Sequence, residues 1–189
     1  MNDIAPIVEG HGDVDAVPAL LRKIVPSLRV ANAIRFPRSR LANLADSSTL
    51  QRAIAIAATN LRPHGMILLV IDADEDCAAT LGPALEARML SLESCQLNRV
   101  VLPVREFEAW IVGGVPAFDL NNPDKCGDLK GRIKRLYGKY RETADQARLT
   151  RLIDVPRLRT NSRSFRRLCA VIEQFQADRC QEPPTERLG

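Results

Sequence analysis

The sequence reads MILLVIDAD at residues 66–74, where six apolar residues are followed by two aspartates that flank an alanine. A short apolar run rich in Ile, Leu and Val is typical of a strand buried on both faces of a parallel sheet. An acid placed directly after such a strand needs a partner or a ligand, because an isolated buried charge is costly. We therefore predict a central strand whose carboxyl end presents Asp72 and Asp74 to a functional site.

A second acidic segment with the same layout lies near the N-terminus. Residues 4–8, IAPIV, predict a strand, and residues 9–13, EGHGD, follow it. Residues 13–24 then predict an amphipathic helix, and Asp13 is expected to cap its N-terminus. Taken alone, this segment favours a tight turn leading into a capped helix, and as a single motif it is weak.

A third acidic segment follows the strand predicted over residues 99–104, and it contains Glu106 and Glu108. Ligands of open parallel α/β sheets bind outside the carboxyl ends of the strands, so the three segments are expected to share one crevice. Carboxylates brought together repel one another unless a cation neutralises them, and Mg²⁺ or Mn²⁺ accepts their oxygens. The predicted metal ligands are Glu9, Asp13, Asp72, Asp74 and Glu108.

The order of predicted elements indicates the fold class. Strands alternate with amphipathic helices through most of the chain, which predicts an α/β fold with a mainly parallel sheet flanked by helices. Residues 38–43 are expected to form a loop between two of these elements. We predict a catalytic domain over residues 1–115, a basic helical C-terminal region over 116–176 and a disordered tail over 177–189.

Charge is distributed unevenly along the chain. Residues 1–120 contain 11 Lys/Arg and 14 Asp/Glu, whereas residues 121–189 contain 16 and 9. An acidic half beside a basic half suits a polyanion held near a metal site, although a solvated arginine-rich helical surface explains the pattern equally well. The candidate contacts to nucleic acid are Lys130, Arg132, Lys134 and Arg135.

Several other functional classes find no support in the sequence. The five cysteines are scattered without a CxxC pair and there are only two histidines, so a zinc site is not expected. Reduced thiols and the absence of a secretion signal favour a cytoplasmic protein without membrane association. Walker A, GxGxxG, GxSxG and HExxH motifs are all absent. A metal-dependent reaction on phosphate is therefore the leading hypothesis.

The ordered set of Glu9 after the first strand and Asp72-x-Asp74 after a later one resembles the TOPRIM domain of topoisomerases, primases and OLD-family nucleases. Glu9 with Asp13 is similar to the ExxxD form of the OLD-type nucleases. The resemblance implies that Glu9 acts as an acid/base or a ligand and that the two aspartates bind Mg²⁺. It also maps the catalytic lysine of the OLD nucleases onto Lys130.

More closely, the chain resembles a bacterial family of small stand-alone TOPRIM proteins of unknown function, and this resemblance extends to about residue 175. The matching pieces are Val8–Gly10, Asp72–Asp74, Glu108–Trp110, Asp128–Gly131 and Ser164–Phe165. Relatives often sit beside an ATPase and are suspected of a role in phage or plasmid defence, which implies an ATPase partner.

Three functional hypotheses follow from the sequence. The first is a Mg²⁺-dependent nuclease acting on DNA or RNA. A homo-oligomer is compatible with this hypothesis. The second is a non-catalytic metal- or nucleic-acid-binding subunit of an ATPase complex. The third, ranked last, is phosphotransfer on a nucleotide, as in primase-type TOPRIM enzymes.

Overall fold

A computed structural model describes residues 1–92 and 96–181 of the chain. Its strands are β1 Asn2–Val8, β2 Ile34–Arg35, β3 Leu61–Val70 and β4 Leu97–Val101. Its helices are α1 Asp13–Ile24, α2 Arg38–Leu41, α3 Ser48–Ala58, α4 Ala78–Leu90, α5 Glu108–Gly114, α6 Leu129–Tyr137, α7 Glu142–Thr150, α8 Val155–Asn161 and α9 Arg163–Gln181. Short 3₁₀ helices span Pro116–Phe118 and Pro123–Lys125.

All four strands are parallel and lie in the order β2-β1-β3-β4, which confirms the α/β class. The register places Val8 opposite Val70 and Val70 opposite Val101, so β1, β3 and β4 end level with one another. The chain passes from β1 to β2 on one side and then to β3 on the other. Such a reversal of strand order opens a crevice at the carboxyl edge, between β1 and β3.

Alternate side chains of β3 enter two separate apolar cores. Met66, Leu68 and Val70 pack with α1, α5 and α9 on one face of the sheet. Ile67 and Leu69 pack with α3 and α4 on the other face. Side chains of a strand alternate between faces, so a strand covered on both sides must be apolar throughout. This explains the uninterrupted apolar run that precedes Asp72.

The basic C-terminal helices share the first of these cores. Trp110 of α5 is fully buried and makes edge-to-face contacts with Phe107 and with Phe165 of α9. Its indole Nε1–H donates a hydrogen bond of 2.9 Å to the hydroxyl oxygen of Ser164. The helices beyond residue 115 therefore pack directly against the layer that covers the sheet, while the proposed domain boundary there stays a prediction.

A buried acid at the opposite, N-terminal edge of the sheet has two arginine partners. Asp3 of β1 is only 2% exposed. Its carboxylate accepts hydrogen bonds from Arg179 of α9 at 2.8 Å and from the backbone N–H of Arg29 at 2.7 Å, and it pairs with Arg62 as well. This cluster fastens the end of α9 to the beginning of the central strand.

Local structure departs from the sequence predictions at three places. The predicted loop over 38–43 is wrong, because Arg38–Leu41 form one helical turn that is fixed by the fully buried Leu41. Asp13 does not cap α1, because Gly12 occupies the N-cap position and no side chain caps the helix. Helix α9 continues to Gln181, past the start of the predicted tail, and residues 182–189 lie outside the described residues.

Within the described ranges, no helix is both long enough and apolar enough to span a bilayer. Three described cysteines are free thiols, and they differ in environment: Cys77 is exposed, Cys126 is half-buried and Cys169 is buried. Burial raises the pKa of Cys169 to about 11, so that thiol is protonated at neutral pH.

We expect Leu168→Ala to lower the free energy of unfolding by roughly 3 kcal/mol, because Leu168 is fully buried in the core that α9 shares with the sheet. The matched control Leu152→Ala removes a leucine that is 49% exposed, and we expect a change below about 0.5 kcal/mol. Denaturant titration followed by the fluorescence of the single tryptophan measures both variants. Equal effects of the two substitutions would contradict the packing described.

Candidate functional site

The acidic segments after β1 and β3 meet at the carboxyl edge of the sheet. Glu9 directly follows β1, and Asp72 lies two residues beyond the end of β3. The backbone N–H of Asp72 donates a short hydrogen bond to Oε1 of Glu9. Because the two strands end level, this contact joins residues that are 63 positions apart in the chain. The structure therefore brings together the two predicted residues on which the hypothesis of a shared site depends.

Asp13 reaches the same site from the first turn of α1. It is 7% exposed, and its Oδ2 accepts a hydrogen bond of 2.9 Å from the backbone N–H of Gly10. Its Oδ1 accepts a hydrogen bond of 2.7 Å from the side-chain amide of Gln146 in α7. A Cβ atom added at Gly12 would overlap the Gln146 side chain, so this glycine serves the close approach of α7. No pattern in the sequence indicates Gln146, which is neutral and distant in the chain.

Arg38 holds the loop that carries the two aspartates of the DxD pair. Its Nε donates to the backbone carbonyl of Asp72 at 2.9 Å, and its Nη2 donates to that of Ala73 at 3.1 Å. The same guanidinium pairs with the carboxylates of Asp74, at 3.1 Å, and of Asp76. Asp74 is exposed and has a φ of 50°, a left-handed conformation that this clamp stabilises. Arg38 is not among the predicted site residues, because its segment was expected to be an irregular loop.

Glu108, at the start of α5, closes the site from the side of β4. It is 2% exposed, and its Oε1 accepts a hydrogen bond of 2.8 Å from the hydroxyl of Tyr140. Lys130 Nζ lies 3.9 Å from the same oxygen, 3.2 Å from Glu106 and 2.7 Å from Glu142. Burial acts to lower the pKa of Lys130, but these three carboxylates raise it overall, so the ammonium is firmly charged. Tyr140 and Glu142 were also missed, because neither follows a strand.

The carboxyl groups of the site repel one another electrostatically. Burial raises the pKa of Glu9 to about 7, and the charges of Asp74 and Asp13 add to the rise. Burial also raises the pKa of Asp72 well above its usual range, with further contributions from Glu9, Asp13 and Glu108. Burial is again the largest cause of the raised pKa values of Asp13 and of Glu108, the latter to about 7. The five predicted metal ligands thus form one electrostatically coupled set.

The donor chemistry of this set fits a hard divalent cation. All five side chains offer carboxylate oxygens, and a cation among them would be attracted by their combined negative charge. As the side chains stand in residues 1–92 and 96–181, however, no group of three or more His, Cys, Asp or Glu is arranged to hold a metal ion. The fit to Mg²⁺ or Mn²⁺ therefore rests on ligand type and charge, and the metal role of these acids stays a prediction.

The residues predicted to contact nucleic acid divide between two faces of α6. Lys130 and Lys134 are four residues apart and so share one face, whereas Arg132 and Arg135 lie on another. Arg135 is paired at 2.9 Å with Asp128, at the N-terminus of the same helix. Of these four residues, Lys130 is the one that the structure places among the carboxylates.

A family model described as a domain of unknown function (DUF4276) matches residues 8–173. The match covers most of the chain and includes every element that contributes to the carboxylate site, and the chain belongs to this family. No curated protein and no solved structure matches the chain. The resemblance to TOPRIM and OLD-type proteins accordingly stays a prediction made from the sequence motifs.

The raised pKa of Glu108 predicts how stability depends on pH. The folded protein binds the proton of this group up to about pH 7, whereas the unfolded chain releases it near 4.5, so the contribution to stability is present below pH 4.5 and lost as pH rises through 7. Glu108→Gln keeps an acceptor for Tyr140 but removes this titration. We expect the change in the free energy of unfolding caused by Glu108→Gln to be more stabilising at pH 8 than at pH 4, by roughly 2 kcal/mol.

Denaturant titrations of both proteins at a series of pH values, without divalent cations, measure this difference. Glu75→Gln is the control, since Glu75 is 90% exposed at its side chain and we expect it to leave the pH profile unchanged. A Glu108→Gln profile parallel to that of the unsubstituted protein would contradict the electrostatic account.

Proposed function

We propose that this member of the DUF4276 family is a TOPRIM-type nuclease that hydrolyses phosphodiester bonds of DNA or RNA with Mg²⁺ or Mn²⁺. The observation that carries the proposal is the contact between Glu9 and the backbone of Asp72 at the point where strand order reverses. Ligands of such sheets bind at this point. Here the point is lined by acids whose negative charge the neighbouring positive side chains do not neutralise. The TOPRIM motifs of the sequence fall at the same place.

The carboxylates would hold one or two cations, and the ligand set we propose is Glu9, Asp13, Asp72, Asp74 and Glu108. A bound divalent ion supplies positive charge to the scissile phosphate and activates a water molecule for attack. Glu9 would serve either as one of these ligands or as the acid/base group, the two roles that the sequence resemblance implies. Arg38 would keep the backbone at Asp72 in place during the reaction.

Lys130 would offset the negative charge of the scissile phosphate. Its ammonium group contacts Glu106, Glu108 and Glu142, and it therefore lies at the border between the carboxylates and the basic C-terminal helices. An approaching phosphate would meet a cation whose charge is already positioned, without the cost of ordering a flexible side chain. This placement supports the catalytic role that the sequence resemblance implies for Lys130.

The proposed setting is a phage or plasmid defence system in the cytoplasm, with an ATPase as the partner protein. The support for the partner is the sequence resemblance to stand-alone TOPRIM proteins whose genes neighbour an ATPase. The basic half of the chain, with 16 Lys/Arg against 9 Asp/Glu, supports nucleic acid as the substrate. A homo-oligomer is compatible with both proposals.

One observation favours a second candidate, a non-catalytic metal- or nucleic-acid-binding subunit of an ATPase complex. Lys130, the cation proposed for catalysis, is already engaged by three carboxylates. A subunit of this kind would bind Mg²⁺ in calorimetry but would leave plasmid, single-stranded DNA and RNA uncut with or without the ATPase. That combination of results would favour it over the nuclease.

We expect Mg²⁺- or Mn²⁺-dependent cleavage of plasmid, single-stranded DNA or RNA, measured by gel electrophoresis with and without the neighbouring ATPase. Asp72→Asn and Glu9→Gln each remove a carboxylate from the shared site, and each should lower the cleavage rate by roughly 100-fold or more. Lys130→Gln should cause a loss of similar size, because the phosphate would lose its nearest ammonium group.

Glu75→Gln is the matched control in the same loop as Asp72, and it should keep its activity within about threefold because its side chain is 90% exposed. Melting curves of all four variants establish that they are folded. Metal-dependent cutting that survives both Asp72→Asn and Glu9→Gln would rule out the assignment of the site.

A further inference from the structure

A groove of about 830 Å³ runs between α4 and α9 along β4, the edge strand of the sheet. Its apolar floor has two parts: Pro83, Ala87 and Leu90 of α4 are exposed, whereas Val100, Val101 and Leu102 along β4 are at most 5% exposed. This volume lies within the range typical of ligand-binding clefts.

The backbone of the edge strand is already provided with partners in this groove. The N–H of Val100 donates to the side chain of Glu86 at 3.0 Å, and the carbonyl of Asn98 accepts a hydrogen bond of 2.9 Å from Arg99. A peptide that extends a sheet needs such backbone groups to be available. The groove is therefore poorly suited to adding a further strand, and its occupant must be recognised by other means.

The rim of the groove on the side of α9 is positively charged. Arg163 is exposed and makes no ion pair with the described part of the chain. The Arg167 side chain is 58% exposed and reaches Glu86 only at 3.8 Å. Glu86 itself is mostly covered, and it is shared between Arg167, Arg99 and the backbone of Val100. The charge presented outward along this rim is therefore that of two arginines.

One end of the groove lies next to the carboxylate site. Asp76 lines the groove, and it also pairs with Arg38, which holds the backbone of Asp72. The loops after β3 and β4 are joined there by hydrogen bonds from Ala73 N–H to the carbonyl of Pro103, at 3.0 Å, and from Asp74 N–H to the carbonyl of Arg105, at 2.8 Å. The groove and the carboxylate site therefore share the loop after β3 as a common border.

We propose that the groove between α4 and α9 binds single-stranded nucleic acid, with bases on the apolar floor and phosphates at Arg163 and Arg167. The choice of ligand class rests on the proposed nuclease function. Proteins hold unpaired strands with a positively charged groove and side chains on which the bases stack. Here Arg163 and Arg167 supply the charge, and aliphatic side chains of the floor take the place of aromatic ones. A duplex hides its bases in the stack and would leave the floor without a role.

Cys77 provides a direct probe of occupancy. It is exposed and lines the groove, and a hydrogen bond from the backbone N–H of Ala79 lowers the pKa of its thiol, which favours alkylation. The full chain is treated with iodoacetamide in EDTA, with and without a saturating dT12 or U12 oligonucleotide, and modification is mapped by peptide mass spectrometry. We expect the single strand to slow alkylation of Cys77 about tenfold and to leave Cys126 unaffected.

Charge and shape variants test the same surface by binding measurements. Arg163→Gln combined with Arg167→Gln should weaken oligonucleotide binding about tenfold and should reduce the slope of log K against log salt by about 1.4, or about 0.7 for each phosphate contact. The control Arg29→Gln with Arg52→Gln removes two exposed charges elsewhere and should leave both quantities unchanged. Ala87→Trp, at an exposed position lining the groove, should block binding by filling it.

The outcomes separate this proposal from the proposed function. Protection of Cys77 without any cleavage in Mg²⁺ or Mn²⁺ would support the groove and count against the nuclease. Cleavage with unprotected Cys77, or with equal binding by the two double variants, would overturn the groove and leave the nuclease standing. Equal protection by a duplex of the same length, or no binding of any oligonucleotide, would also overturn it.

Discussion

The functional edge of this protein depends on one interaction, the hydrogen bond from the backbone N–H of Asp72 to the carboxylate of Glu9. This bond exists because β1 and β3 are neighbours that end level, and because strand order reverses between them. It fixes two acidic segments that are far apart in sequence at a distance where their charges interact. The remaining members of the site, from α1, α2, α5 and α6, are arranged around this contact.

Positive charge surrounds the carboxylates without neutralising them. Arg38 is directed at the exposed Asp74 and at the loop backbone, and Lys130 is shared with Glu106 and Glu142 outside the central set. The half-buried Asp72 is left with a pKa well above its usual range. A site of this composition is incomplete without a further cation or proton, and this is the physical reason for proposing a metal-dependent reaction.

The sequence predicted the parallel sheet and the acids at its edge because both follow from local patterns. Six apolar residues before Asp72 indicate a strand covered on both faces, and the acids after it stand out against that background. Arg38, Tyr140 and Gln146 left no such pattern, because each acts through a tertiary contact with a distant residue. The one-turn helix at Arg38 was also mistaken for a loop, since a single buried leucine fixes it and four residues show no periodicity.

Asp3 shows how the same fold treats an acid that has only a structural role. At the edge opposite the site, this buried carboxylate is paired with two arginines and receives a backbone N–H. At the carboxyl edge, Asp72 and Glu108 are tolerated at a cost to folding. A laboratory selection for heat resistance alone would therefore replace those two residues early and retain Asp3, so the pattern of accepted substitutions would itself separate the acids that stabilise the fold from those that do not.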